Sequence, residues 1–150
     1  MAVNYKITGL TKHFTLAEYS VDQIGTVELS KEALLQAHCL EEFRRWYGKP
    51  LTVTSWYRTV ACNKAVGGVP NSSHLYGKAT DLSLPNLSQK NFIRYAKKWR
   101  EICRKHGVVG EAGLYNWGMH LGSSITYSNR FYHWDSRGNS QVNMPFKDLR

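Results

Sequence analysis

At 150 residues, with 42% hydrophobic, 21% charged and 13% aromatic residues, the chain has the length of one domain and the composition of a folded globular protein. That composition excludes an intrinsically disordered chain, and no apolar run approaches the ~20 residues that a membrane-spanning helix requires. The formal charge of +9, from 20 Lys and Arg against 11 Asp and Glu, suits either a solvated surface or a polyanionic partner, which on charge alone is nucleic acid, a membrane surface or an anionic cell wall; no nucleic-acid-binding motif accompanies it.

Met1 to Phe14 lack the basic-then-apolar pattern of a secretory signal, so synthesis in the cytoplasm without a signal peptide is expected. Thr15-Leu16-Ala17-Glu18 has capping-box spacing and starts a short helix. Ser30 caps a second helix reaching about Tyr47, with Leu35, Cys39, Phe43 and Trp46 as its apolar face and Gly48 and Pro50 as its stop. Leu51 to Ser55, rich in β-branched residues, reads as a strand. Gly67 to Gly77 has loop composition. Lys78 to Leu84 reads as a second strand, with Ala79, Asp81 and Ser83 on one face.

Ser88 caps a third helix to about His106, where Phe92, Ala96, Trp99 and Cys103 repeat at helical spacing. Its other face carries Lys90, Arg94, Lys97, Lys98, Arg100, Arg104 and Lys105, either a solvated face or a surface drawn to an anionic wall. Val108 to Tyr115 and Met119 to Ile125 form two strands about a tight turn at Asn116-Trp117-Gly118, and Phe131 to Trp134 a further one. Ser136 to Arg150 shows no clear pattern. Cys39, Cys62 and Cys103, odd in number and widely spaced, read as free thiols rather than a disulfide framework.

The chemistry concentrates in Ser72-Ser73-His74-Leu75-Tyr76-Gly77-Lys78-Ala79-Thr80-Asp81. A loop histidine precedes a strand aspartate, and Gly77 lets the chain turn sharply between them. Ala79 shares the face of Asp81 and leaves room beside it. An imidazole and a carboxylate that converge in this way suit zinc, whose catalytic sites take three protein ligands. Of the remaining histidines, His120 is the best third ligand, on a late strand just after the tight turn and flanked by Gly118 and Gly122.

Ser72-x-His74-x-x-Gly77-x-Ala79-x-Asp81 resembles the signature of the zinc D-Ala-D-Ala carboxypeptidases and their endolysin relatives, a superfamily that also includes lysostaphin-type peptidases and the hedgehog signalling domain. Thr11 to Glu18, Ser55-Trp56-Tyr57-Arg58, Asn63, Val66 to Pro70, Gly113-Leu114-Tyr115 and Met119-His120 are similar to further family segments, so the likeness spans roughly residues 11 to 135. It implies that His74, Asp81 and His120 hold zinc, that Arg58 binds or polarises the substrate carbonyl or carboxylate, and that Ser72 hydrogen-bonds the substrate. An arginine fork suits both a carboxylate and a developing oxyanion. The alternatives are a structural salt bridge for Arg58 and a loop-capping hydroxyl for Ser72.

The match breaks at the general base. Many relatives place Asp or Glu three residues before the last zinc histidine, where Trp117 stands here; others read His-x-Asp, where this chain reads His120-Leu121-Gly122. Two replacements are open. If the turn holds two residues, Gly113 pairs with His120 and Glu111 with Gly122, which puts Glu111 on the zinc face; a slip of one residue turns it away. Asp135, in His133-Trp134-Asp135, is the other candidate. The aromatics Trp56, Tyr57, Tyr76, Tyr115 and Trp117 line a substrate groove or pack a core.

The expected molecule is a single α+β domain over residues 1–150, with a small antiparallel sheet bearing zinc on one face and helices on the other. The expected function is a monomeric zinc peptidase acting on peptidoglycan stem peptides or cross-links. It would be a phage-type endolysin that reaches the wall after release. The alternative is a zinc-binding module without catalysis.

Overall fold

The computed structural model describes residues 2–3, 10–20, 27–123 and 129–150. Ala2–Val3 (β1) pairs antiparallel with Val27–Glu28 (β2). Leu16–Tyr19 (α1) opens with the full capping box between Thr15 and Glu18. Lys31–Tyr47 (α2) is capped by Ser30 and ends at Gly48, whose φ of 81° is left-handed. Thr52–Ser55 (β3), Val60–Ala65 (α3), Ala79–Ser83 (β4), Gln89–Lys105 (α4), Glu111–Tyr115 (β5), Gly118–Gly122 (β6), Tyr132–Asp135 (β7) and Val142–Asn143 (β8) follow, with 3-10 turns at Ser73–Tyr76 and Lys147–Leu149.

Six strands form one sheet in the order β3-β4-β6-β5-β7-β8. All pairs are antiparallel except β5 and β7, which run parallel. The sheet is thus mixed rather than purely antiparallel. The reason is connectivity: the chain leaves β6 and returns on the far side of β5, travelling in the direction of β5.

Strand alternation sorts the side chains into two sets. Leu82, Ala112, Leu114, Met119 and Leu121 are fully buried in the main core. That core is completed by Ala33, Ala37, Leu40 and Phe43 of α2 and by Phe92, Ala96, Trp99 and Cys103 of α4. Each large side chain buried there contributes about 1.5–3 kcal/mol. Polar bonds also fix helices to the sheet: Trp99 Nε1 donates to the Gly122 carbonyl at 2.8 Å, and Gln36 Nε2 donates to the Leu121 carbonyl at 2.9 Å and to Thr80 Oγ1 at 3.2 Å.

Some expectations need correction. The buried stripe of α2 runs through Ala33, Ala37, Leu40 and Phe43, while Leu35 is half-buried and Trp46 is exposed. Arg94 and Lys98 of α4 lie over the Trp46 ring at 5.5 and 5.9 Å, which lets an indole sit at the surface. Helix α3, capped by Thr59, lies just before the expected loop. The tail contributes β8 and a 3-10 turn. Ser124 and Ile125, expected at the end of a strand, lie outside the described residues. Cys39, Cys62 and Cys103 are free thiols, the first and last buried.

Candidate metal centre

The site lies on the sheet face turned away from α2 and α4. Register builds it. Asp81 on β4 is directly opposite His120 on β6, and His120 is directly opposite Gly113 on β5. Gly113 in turn faces Trp134 on β7. Ser55 ends the same transverse row on β3, opposite Asp81. A second row, two residues along, holds Ala79, Gly122, Glu111 and Tyr132.

His74 reaches this face from the 3-10 turn Ser73–Tyr76, capped by Ser72, whose Oγ accepts the His74 backbone N–H at 3.2 Å. Gly77 ends the turn at φ 69°, and a Cβ there would come within 2.6 Å of Tyr19 Oη, so this position needs glycine on two counts. The next residues enter β4, which brings His74 over Asp81. His74 Nε2 is 3.2 Å from Asp81 Oδ1, and His120 Nδ1 is 3.0 Å from the same oxygen. The two imidazoles are nearly perpendicular, with centroids 5.1 Å apart.

His74, Asp81 and His120 are all buried and offer one ligand atom each, all within 4.8 Å of one another. Two imidazole nitrogens and one carboxylate oxygen, with a cavity of about 450 Å³ in front of them, are the donor set and opening of a catalytic zinc site. Among the described residues no other group of His, Cys, Asp and Glu converges in this way. His13 and His106 are bonded to Glu41 and Glu42 at 2.6 Å each, and His133 is buried on the opposite face.

The electrostatics fit a cation. Burial works against the Asp81 carboxylate, but His74 and His120 outweigh it and hold its pKa well below the usual carboxylate range. Burial also depresses His120, yet the hydrogen bonds and charges of Asp81 and Glu111 reverse this and raise it to about 9. Both shifts have one cause, the pairing of carboxylates with the two rings, and both favour positive charge at this face.

Arg58 follows β3, and its backbone N–H donates to the His74 carbonyl at 2.9 Å. Its guanidinium reaches Ser55 Oγ at 3.0 Å, Asn63 Oδ1 at 3.2 Å and, at the edge of hydrogen-bond range, Asp81 Oδ2 at 3.5 Å. It both lines the cavity and stands beside the Asp81 carboxylate. Ser72 likewise caps the turn and lines the cavity.

The hairpin turn holds two residues, Tyr115 pairs with Gly118, and Glu111 therefore pairs with Gly122. Glu111 points toward His120, with Oε2 2.7 Å from Nε2, the ring nitrogen turned away from Asp81. Asp135 is not brought to the site. Trp134 faces the cavity, so its neighbour points the other way, and Arg137 clamps the Asp135 carboxylate at 2.7 and 2.9 Å.

Several contributions escape a reading of the sequence. The Trp56 carbonyl receives His74 Nδ1 at 2.7 Å. Since a carbonyl only accepts, Nδ1 carries the proton and Nε2 is left for a metal. Trp134 packs over Gly113, where a Cβ would lie 2.2 Å from the indole, and sits against His120 with centroids 5.1 Å apart. Its Nε1 donates to Tyr115 Oη at 3.0 Å, and Tyr115 stacks on Trp117 at 4.5 Å. Tyr115, Trp117 and Trp134 line the cavity, whereas Trp56 and Tyr57 belong to the core and Tyr76 is exposed. The adjacent His and Trp in His133-Trp134 signal a strand, but only its register shows which of the two faces the site.

The family described as Peptidase M15 matches residues 4–120, a span that contains His74, Asp81 and His120. The zinc D-Ala-D-Ala carboxypeptidase of Streptomyces albus G is 37% identical over 94 residues, which is 62% of this chain and 34% of that protein. The chain thus spans about a third of the length of that relative.

Proposed function

The chain belongs to the Peptidase M15 family, and from that premise we propose that it is a zinc metallopeptidase that hydrolyses an amide bond in peptidoglycan stem peptides or cross-links. The observation that carries the reading is the convergence of His74 Nε2 and His120 Nδ1 on one buried oxygen of Asp81, at the floor of an open cavity. Zinc, when bound by these three, supplies a Lewis acid for the amide carbonyl and a means of ionising water near neutral pH.

The chain's own residues do the rest. Arg58 stands beside Asp81 with its fork held by Ser55 and Asn63, placed to receive negative charge that develops on a substrate oxygen. Ser72, at the cavity rim, has a hydroxyl hydrogen to offer a substrate while its oxygen caps the turn. Tyr115, Trp117 and Trp134 give an apolar wall that holds peptide and excludes water. The D-Ala-D-Ala activity named for the Streptomyces relative supports a peptide containing D-alanine as substrate.

The finer reading is a monomeric endolysin of the phage type, made in the cytoplasm and acting on the wall after release. The charge of +9 supports it, because it draws the chain to an anionic wall. The test is digestion of intact peptidoglycan with and without a chelator. New amino groups that disappear with the chelator and return with zinc are expected, and sequencing the fragments identifies the bond. Zinc bound without any release, under conditions where a related peptidase works, overturns the proposal in favour of a binding module.

A further inference from the structure

The two imidazoles of the site are held from behind by different groups. His74 Nδ1 donates to a neutral backbone carbonyl, that of Trp56, at 2.7 Å. His120 Nε2 meets a carboxylate, Glu111 Oε2, also at 2.7 Å. In both rings the other nitrogen faces Asp81 Oδ1. Glu111 is buried, and its carboxylate stands across the ring from the point where the three donors converge.

Glu111 reaches that position because residue 122 has no side chain. The two residues are directly paired across β5 and β6. A Cβ on Gly122 would lie 2.7 Å from Glu111 Cγ, 3.0 Å from Cδ and 3.1 Å from Oε2. The Glu111 side chain therefore fills the volume into which a side chain at 122 would project. A carboxylate rooted at 122 would start one short reach from the same ring nitrogen.

We propose that Glu111 is a positioning residue for zinc rather than the group that takes a proton from water, and that the space over Gly122 lets either strand supply this carboxylate. The carboxylate fixes which nitrogen of His120 carries hydrogen, orients the ring and strengthens Nδ1 as a donor to the metal. The inference rests on the reading of His74, Asp81 and His120 as the zinc ligands. It follows that the carboxylate can be moved from position 111 to position 122 with zinc binding retained.

The experiment is a zinc titration of the full chain against a chromophoric competitor, with peptide hydrolysis at saturating zinc measured beside it. Wild-type binding tests the zinc reading by itself. Glu111→Gln, which keeps the shape, weakens zinc binding about 10- to 100-fold, the usual effect of losing such a partner, while turnover at saturating zinc stays within about 10-fold of wild type. Glu111→Gly and Gly122→Asp each bind zinc more weakly than wild type, and the double variant Glu111→Gly/Gly122→Asp binds more tightly than either. Loss of turnover by about 100-fold or more in Glu111→Gln with unchanged zinc affinity makes Glu111 the proton acceptor and overturns the proposal. A double variant no better than the weaker single one overturns the exchange between strands. If the glycine variants fail to fold, Glu111→Gln still decides the positioning role, and a double variant that does not fold overturns the exchange between strands.

Discussion

The two faces of the six-stranded sheet are made from alternate residues of the same strands, and two buried histidines show how differently they are used. His120 faces the cavity between Asp81 and Glu111, and its pKa rises to about 9 despite burial. His133 faces the helices, where burial first, then Arg150 and Arg100, lower it to about 4. Its Nε2 accepts the Phe146 backbone N–H at 2.9 Å, a bond that requires an unprotonated nitrogen. The side-chain type is the same, and what surrounds it decides between a cavity-facing group beside two carboxylates and a packed core residue. The lesson extends along each strand: Leu82 is core and Asp81 is site, Leu121 is core and His120 is site.

The sharpest way to break this division is to remove core and site groups separately. Trp99→Ala and Leu82→Ala should destabilise the metal-free fold by about 3–5 and about 2–5 kcal/mol respectively in denaturant titrations, through lost burial and the cavity left behind. Zinc at ~1,000 times its dissociation constant should add about 4 kcal/mol to the wild type. A folded core variant keeps that zinc increment; His74→Ala and His120→Ala lose it. A zinc increment that survives His120→Ala contradicts the assignment of the face.

Gly77→Ala comes next, since it joins the two regions. It forces a side chain into a left-handed position and against Tyr19. A loss of about 1–3 kcal/mol is expected, together with weaker zinc binding, because the turn it ends carries His74. Loss of stability with unchanged zinc affinity would separate the turn from the site.

The two histidines should also give opposite pH limbs. A free imidazole titrates near ~6.5. The folded value of His120 lies above this, so its contribution to the metal-free fold is complete below about 6.5 and is lost as pH rises through about 9. The folded value of His133 lies below, so its contribution is complete above about 6.5 and is lost as pH falls through about 4. Thermal unfolding of the metal-free protein should peak near pH 6.5. Zinc should remove the alkaline limb by taking the place of the Nδ1 proton, and His133→Asn should flatten the acid limb between about pH 6.5 and about 4.5 alone, leaving the steeper fall below that, to which the lowered carboxylate of Asp81 contributes. An alkaline limb unchanged by zinc contradicts the placement of the ion. The smallest effect is expected at the surface: Glu101→Gln, which breaks an exposed pair with Lys98, should change stability by less than about 0.5 kcal/mol and leave zinc binding alone.

Much of the site was legible because it is local or set by a short turn. His74, Gly77, Ala79 and Asp81 lie within one turn and one strand, and the two-residue turn at Asn116 and Trp117 fixes the pairing of Glu111 with Gly122. The caps at Thr15, Ser30 and Ser88 mark helix starts for the same local reason. What stayed hidden depends on long-range register. The parallel partnership of β7 with β5 decides that Trp134, and not Asp135, faces the cavity, and nothing within His133-Trp134-Asp135 encodes that choice. The Trp56 carbonyl is a backbone atom, invisible to any reading of side-chain types. Helix α3 spans only Val60–Ala65, too short for apolar periodicity to declare it.

The most direct test of the account is to load the purified chain with zinc, solve its crystal structure and locate the ion by anomalous scattering at the zinc edge. One ion per chain is predicted, held by His74 Nε2, Asp81 Oδ1 and His120 Nδ1, with Glu111 still behind His120. No anomalous peak at this face, or a zinc ion bound without His120, would contradict it.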